Sequence, residues 1–404
     1  MTDKNILAEK ETKEEVLFKK IRKSYDTASL RKKAEILSRI LEVPLQHIRG
    51  CTYDSAHFKG NIENPLGAIQ IPLGIAGPMS VKGEHAKDDF YIPLATTEGA
   101  LVLTYDLGMR LFRMAGPIEV RVISKVVHIT PMFPIEKDED KTVGKFLNAH
   151  YDKIKRETEK DSTHTHLLRI EPKRVGRNFL LKFIYDTEDA HGLNMINHAT
   201  FNACKYIEKE TGAFFYLRSH YSGVKHHSLV NEAEGYGRVI KASGTVCSSA
   251  LEFMGITARQ MKDFCDRCIE CGHAAGISSV NVHAANGIAA IFLACGQDAA
   301  DISSAHVCEG RCEVVSKGKE LYWECTLKNL LVGTVGGGTG LGTQSECLKI
   351  IGCYGSGKSD KFAELIAATV LAGEFPTAAS VVKRTYVDIH NKYGRNKSKH
   401  LAGS

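Results

Sequence analysis

The sequence predicts an α+β fold in which a large, helix-rich domain is interrupted by an inserted β-α-β-β-α-β subdomain of the ferredoxin-like type. Three observations carry this expectation. Between residues 117 and 218, segments of strand-like alternation and of helical periodicity follow one another in that order. The flanking stretches, "GNIENPLG" before and "VNEAEGYGRVIKA" after, read as two parts of one domain that the insertion divides. The chain has 404 residues, 43% of them hydrophobic and 25% charged, which suits a globular protein with a sizeable core.

The elements follow in chain order. Residues 1–25 are charged and read as a loosely held arm. "TASLRKKAEILSRILEV" carries Leu30, Ala34, Leu37 and Leu41 at helical spacing, so a short amphipathic helix opens the fold. From Gly50 to Pro93, glycine, proline and short apolar runs suit strands and turns. Within the insertion, "PIEVRVISKVVHI" alternates as a strand and "KTVGKFLNAHYDKIKRETEK" is helical. "HTHLLRIEP" and "RNFLLKFIYD" form a strand pair, "LNMINHATFNACKYIEKE" is helical, and "AFFYLRS" returns as a strand. The expected division is residues 1–49 as arm and small helical region, 50–116 with 219–404 as the large domain, and 117–218 as the insertion.

A net charge of +6 is mild for this length, and Lys and Arg are interleaved with Asp and Glu. A solvated surface is expected rather than a nucleic-acid interface, and the small positive excess suits an anionic substrate or a phosphate-bearing cofactor. Uninterrupted apolar runs such as "GIAAIFLACG" fall short of the about 18 residues that a membrane span needs. The charged N-terminus has no apolar signal region, and the twelve cysteines then point to reduced thiols. A cytoplasmic protein without a membrane partner is expected.

Five stretches could carry chemistry. "ATTEGA" sets Glu98 among small residues at a strand-to-helix junction, and "GVKHHS" holds Lys225 beside two histidines. "ACGQDAAD" places Asp298 just after an apolar run, where partial burial is expected. "VDIHNKYGRNKS" gives His390, and "GTVGGGTG" is a glycine cluster that lets backbone approach a ligand closely. Taken singly, Glu98 reads more readily as a helix cap, Asp298 as a loop cap and His390 as a surface histidine. Two further motifs compete. "GCYGSGKS" fits the phosphate-binding pattern G-x-x-x-x-G-K-[ST] through Gly352, Gly357, Lys358 and Ser359, with "LKII" before it as a candidate strand. The sequence runs only to residue 404, too short after Ser359 for the parallel sheet such a loop begins, so a glycine-rich connection is expected. Cys265, Cys268 and Cys271, followed by His273, have metal-ligand spacing. Their segment has no turn residue before Gly272 and continues a helix, so no metal is expected.

Together the motifs are more specific than any one of them. "IPLGIAGPM", "IPLATTEGAL", "DAHGLNMIN", "NVHAANGIAAIFLACGQDAA" and "GTVGGGTG" resemble those of the hydroxymethylglutaryl-coenzyme A reductase family, class I type, from about residue 60 onward. The resemblance implies a dimerising large domain, an inserted subdomain that binds the nicotinamide nucleotide, and active sites formed between two subunits. It implies reduction of an acyl-CoA thioester to the alcohol with two NADPH, through a hemithioacetal and an aldehyde. The substrate so implied is hydroxymethylglutaryl-CoA, giving mevalonate, or a related thioester; NADH stays open as the alternative reductant.

The matched motif positions imply Glu98, Lys225, Asp298 and His390 as the catalytic set. They assign Asp189, Gly192, Asn194, Met195, Gly336 and Gly337 to the cofactor, and Asn64, His283 and Asn286 to the substrate. In the implied roles, Lys225 holds the negative charge that develops on the carbonyl oxygen. Glu98 supplies a proton during aldehyde reduction. Asp298 keeps Lys225 charged, and His390 protonates the departing CoA thiolate.

Departures from the family pattern fall where it grips the acyl carboxylate. Val224 replaces an acidic residue, His226 a second lysine and Ile129 an arginine, while "DFCDRCIECGHAAG" offers no counterpart to a further lysine. Where the family meets the 2′-phosphate of the cofactor with an arginine, "DSTHTHLL" offers His164, Thr165 and His166. Two other readings therefore stay open. One is a paralogue that takes a different acyl thioester, or binds a CoA ester without turnover; the other is a nucleotidase built on the 352–359 loop.

Overall fold

A computed structural model describes residues 13–21, 23–47, 52, 54–135 and 139–394. Its strands are β1 (Leu73–Lys82), β2 (Lys87–Ala95), β3 (Ile118–Ile129), β4 (Met132–Pro134), β5 (His166–Val175), β6 (Asn178–Asp186), β7 (Gly237–Val246), β8 (Cys308–Val315) and β9 (Glu320–Leu330). Its helices are α1 (Lys13–Ile21), α2 (Thr27–Ile40), α3 (Leu101–Arg113), α4 (Glu139–Glu159), α5 (Leu193–Thr211), α6 (Leu229–Glu234) and α7 (Ser248–Met254). They continue with α8 (Ala258–Ala274), α9 (Ala284–Ala294), α10 (Ile302–Ala305), α11 (Gly342–Ile350), α12 (Ser359–Val382) and α13 (Tyr386–Ile389). The fold is mixed α+β, as the alternation of periodicities predicts.

Strand β3 joins the two halves of the molecule. Residues 119–126 pair with β7 in a sheet ordered β2-β1-β3-β7-β9-β8, and residues 127–129 of the same strand pair with β6. β6 in turn carries β5 on one side and the short β4 on the other. A register irregularity between Val122 and Ser124 lies in the β7-paired part, where a bulge adds twist and turns the strand from one sheet towards the next. Each sheet has its own apolar cluster. One gathers β1, β2, α3, α9, β9 and α12 around residues such as Phe112, Phe292, Trp323 and Phe375. The other packs α4 and α5 on β5 and β6 through Leu147, Ile154, Phe183, Tyr185 and Ile207.

Helix α12 is the centre of the larger cluster. It is long and apolar enough by composition to cross a membrane, yet 83% of its most apolar window is buried inside the protein. The hydrophobic effect that would favour a bilayer is satisfied here by α3, α9 and the sheet. α3 approaches so closely that a Cβ on Gly108 would fall 1.7 Å from the Ala372 carbonyl oxygen, so only glycine fits there.

Three expectations from the sequence are corrected. Part of the arm, residues 13–21, is helix α1; residues 1–12 lie outside the described residues. "AFFYLRS" is no full strand: Tyr216 makes one reciprocal bridge to Met132 before Ser219 turns onto the Thr130 carbonyl. "LKII" is the end of helix α11, because Ser345, Leu348 and Ile351 bury at a three-residue spacing that a strand cannot present to one side.

Candidate active site

The structure gathers the expected residues into two groups. The first surrounds a cleft of about 450 Å³ between the start of α3, the entry to α9 and the C-terminal end of α12. Glu98, His283, Asn286 and His390 line it together. Glu98 stands where β2 hands over to α3, as its motif predicts, and its backbone N–H donates to Thr96 Oγ1 at 3.0 Å. Asn286, in the first turn of α9, donates from Nδ2 to both Glu98 oxygens at 3.0 and 3.3 Å. His390 follows α13, and its Nδ1–H donates to the Tyr386 carbonyl at 2.9 Å, which leaves Nε2 for a ligand. The remaining walls are largely apolar: Leu103, Leu107, Met254, Val381, Ile389 and Tyr393 among them.

The second group is built on Lys225. This residue sits in a left-handed backbone conformation, φ 58°, uncommon for a side chain of its length, and the turn aims its ammonium at Asp298 Oδ2, 2.6 Å away. Asp298 is the cap of a short helical turn, accepting from the Ala300 N–H at 3.0 Å, as the loop-cap reading expects, and its other oxygen is left to Lys225. Its side chain is 40% exposed and that of Lys225 39%, more open than the preceding apolar run suggests. Burial pushes the Asp298 carboxyl up, but the Lys225 ammonium and the Ala300 N–H outweigh it and hold the group below its ordinary value. Neither Lys225 nor Asp298 lines the cleft of Glu98.

The cofactor segments converge beside this pair. Ala190 bridges Val335 in parallel, the Thr334 N–H donates to the Asp189 carbonyl, and Gln297 brackets Gly333 through both its amide groups. Gly192 caps α5 in a left-handed conformation, with Asn194 and Met195 in the first turn behind it. Gly336 and Gly337 also have positive φ, and a Cβ on either would meet nothing within 4 Å, so their backbone is open to a ligand. His191, one residue before Gly192, pairs through Nε2 with the buried carboxylate of Asp301. Asn64 lies in the loop before β1 and does not line the cleft.

Asp189 also answers the phosphate-loop motif. Its carboxylate accepts the Gly357 and Ser359 N–H groups at 2.6 and 3.0 Å, and the Ser356 hydroxyl at 3.3 Å. The N-terminus of α12 is thus occupied by an internal anion where such a loop would cradle a phosphate. The Ser359 hydroxyl accepts from Arg238 at 2.6 Å, and the preceding element is helix α11 rather than a strand. The nucleotidase reading therefore loses both its geometry and its free donors. Burial pushes the Asp189 carboxyl up, and the N–H groups override this to bring it down to about 2.

The cysteine motif lies on α8, which begins with a Thr257–Gln260 capping box and runs to Ala274. Cys265 turns towards Cys312, and Cys268 and Cys271 do not join it in any three-ligand cluster among the described residues. Sequence reasoning missed Gln297, the His191–Asp301 pair, and Glu374 with Thr377, which hold His283 from α12. The signal for Glu374 was available: a carboxylate inside an apolar helix needs a partner.

Comparison with known proteins identifies the family. The sequence profile of the family hydroxymethylglutaryl-coenzyme A reductase matches residues 29–395. The chain is 37% identical to the 3-hydroxy-3-methylglutaryl-coenzyme A reductase of Methanocaldococcus jannaschii, with 87% of this chain and 89% of that protein covered. It is 33% identical to that of Pyrococcus horikoshii, with 96% and 98% covered. Among solved structures, the class II reductase of Streptococcus pneumoniae bound to NADPH superimposes with a TM-score of 0.64 at 18% identity, over 80% of this chain and 78% of that one, a likeness of fold. With the profile spanning most of the chain and relatives matched over nearly their whole length, this chain belongs to the hydroxymethylglutaryl-coenzyme A reductase family.

Proposed function

We propose that this chain reduces hydroxymethylglutaryl-CoA to mevalonate with NADPH, at sites that each combine the Glu98 cleft of one subunit with the Lys225–Asp298 pair of another. The observation that carries the two-chain arrangement is the division just described: one chain holds both halves of the catalytic set, but only one half lines the cleft. A homodimer with shared sites follows. Exposed apolar residues at the start of the sheet, Ile69, Leu73 and Ile75, give such a dimer a face to bury.

In this reading the division into 1–49, 50–116 with 219–404, and 117–218 holds, the last being a ferredoxin-like nucleotide-binding insertion. Its support is the strand order β5-β6-β4 followed by the Tyr216 bridge, with α4 and α5 packed against the sheet. The open backbone of Gly336 and Gly337 and the α5 N-terminus at Gly192 to Met195 fit a phosphate-bearing nucleotide. When bound, NADPH supplies the hydride for each of the two reductions. Lys225 stabilises the alkoxide at the former carbonyl carbon, with Asp298 fixing its ammonium. Glu98, oriented by Asn286, gives the proton to that oxygen in the second reduction. His390, with Nδ1 tied to Tyr386, offers Nε2 to the leaving thiolate. The apolar walls of the cleft suit the pantetheine arm of the thioester. A cytoplasmic setting suits this cofactor.

A second reading concerns the acyl group alone. Ile129 and Val224 are both buried in the smaller apolar cluster, so neither presents a polar group to a carboxylate. A related thioester without that carboxylate would then serve as well. Nicotinamide oxidation with hydroxymethylglutaryl-CoA, free thiol followed in parallel, decides between them. Turnover supports the first reading; silence with the cofactor still bound, followed by turnover on another acyl-CoA, supports the second. Silence on every thioester would leave a CoA-ester-binding paralogue.

A further inference from the structure

We propose that Glu374 is a positioning residue for the reaction, holding the imidazole of His283 in place within the cleft; the proposal rests on the reading of that cleft as the thioester site. Glu374 sits two-thirds of the way along α12 with no exposure to solvent, among Leu371, Ala372, Phe375 and Ala378, all buried. A carboxylate in such surroundings is costly unless several donors compensate it. All its donors come from one short stretch. Oε2 accepts the Val282 N–H at 2.6 Å and Oε1 the His283 N–H at 2.8 Å. Oε1 also lies 3.4 Å from Nδ1 of the His283 ring.

The rest of the ring is fixed from the same helix and its neighbour. Thr377, one turn beyond Glu374, donates its hydroxyl proton to the Gly373 carbonyl at 3.0 Å and so accepts from His283 Nε2 at 2.7 Å. The Tyr105 ring stacks on the imidazole with centroids 5.5 Å apart and planes within 5°. Nε2 and one face of His283 are thereby held. Nδ1 has no hydrogen-bond partner among the described residues and faces the Glu374 carboxylate, whose hold on the residue runs through the two backbone N–H groups. His283 and Thr377 line that cleft, whereas Glu374 does not, so Glu374 acts through His283.

The test uses the full chain labelled with nitrogen-15 histidine, the His283 ring signals being assigned by their loss in His283→Gln. Glu374→Gln keeps the volume and one acceptor. It should shift those ring signals and lower kcat by about 100-fold, the scale of a misplaced catalytic contact, with NADPH affinity unchanged. Unmoved ring signals, or a wild-type kcat, in a folded Glu374→Gln protein would overturn the proposal. Should that variant not fold, Thr377→Val leaves the carboxylate in place and should shift the Nε2 signal and lower kcat; unmoved signals there overturn the proposal equally. A wild type inactive on every thioester, whose ring signals still move in Glu374→Gln, would sink the reductase reading while upholding the positioning.

Discussion

Replacing Lys225 by alanine separates catalysis from folding more cleanly than any other change to the site. The ammonium lies 2.6 Å from Asp298, but both side chains are about two-fifths exposed, 39% and 40%. Solvent screening leaves an ion pair of that kind about 1 kcal/mol of stability or less. The strained backbone at φ 58° is retained by alanine, so it neither adds nor removes cost. The melting temperature should therefore move little. The transition state loses much more, because a preorganised cation on a developing alkoxide contributes about 3–4 kcal/mol, or roughly 100- to 1,000-fold in kcat. Asp298 is also affected: without the lysine, burial is opposed by the Ala300 N–H and the charge of His191, and its carboxyl should rise from its depressed value. The assay is single-turnover hydride transfer followed by nicotinamide fluorescence, beside a thermal melt. A folded Lys225→Ala protein that keeps kcat within about threefold of wild type refutes the role given to Lys225.

Other expectations follow from the same geometry. Asp189 is held down to about 2 by the N–H groups at the start of α12. A carboxyl depressed by folding stabilises above its unfolded value and ceases to as pH falls through its folded one. After allowance for solvent, Asp189→Ala should cost about 1–2 kcal/mol at neutral pH and almost nothing near pH 2; urea melts showing equal cost at both would contradict this. Glu188 binds His164 and His166 at 2.8 and 3.0 Å, and its negative charge opposes a 2′-phosphate beside them. Glu188→Gln should raise kcat/KM for NADPH relative to NADH, and an unchanged ratio would place the 2′-phosphate elsewhere. Asn286→Ala frees the Glu98 carboxylate from both its contacts and should lower kcat about tenfold with little change in NADPH affinity. Equal losses in both would show a general collapse of the cleft. Leu73→Asp, at a residue 53% exposed, should shift the protein to monomer in sedimentation and abolish turnover; an active monomer would remove the shared-site reading.

Much of the site was legible because its motifs are local. "ATTEG", "GQDAA" and "DAHGLNM" each place a candidate residue at a strand end or helix start, where short sequence dictates local geometry. What could not be read was which motifs meet. The grouping of Glu98 with Asn286, and of Lys225 with Asp298, depends on contacts 188 and 73 residues apart. The same holds for Asp189 and the 356–359 loop: only the fold shows that an acidic residue fills the helix N-terminus that the phosphate-loop pattern leaves open. "LKII" failed for a different reason. Four apolar residues have no resolvable period, and burial at Ser345, Leu348 and Ile351 decided in favour of helix.

The most direct test is complementation between two inactive variants. Glu98→Gln and Lys225→Ala are purified separately, mixed under conditions that exchange subunits, and assayed for NADPH oxidation with hydroxymethylglutaryl-CoA. If each site takes Glu98 from one chain and Lys225 from the other, half the dimers become mixed and each mixed dimer holds one intact site. Activity should then return to about a quarter of wild type. If both residues of a site come from the same chain, every site stays defective, and a mixture that remains silent after proven exchange contradicts the shared site.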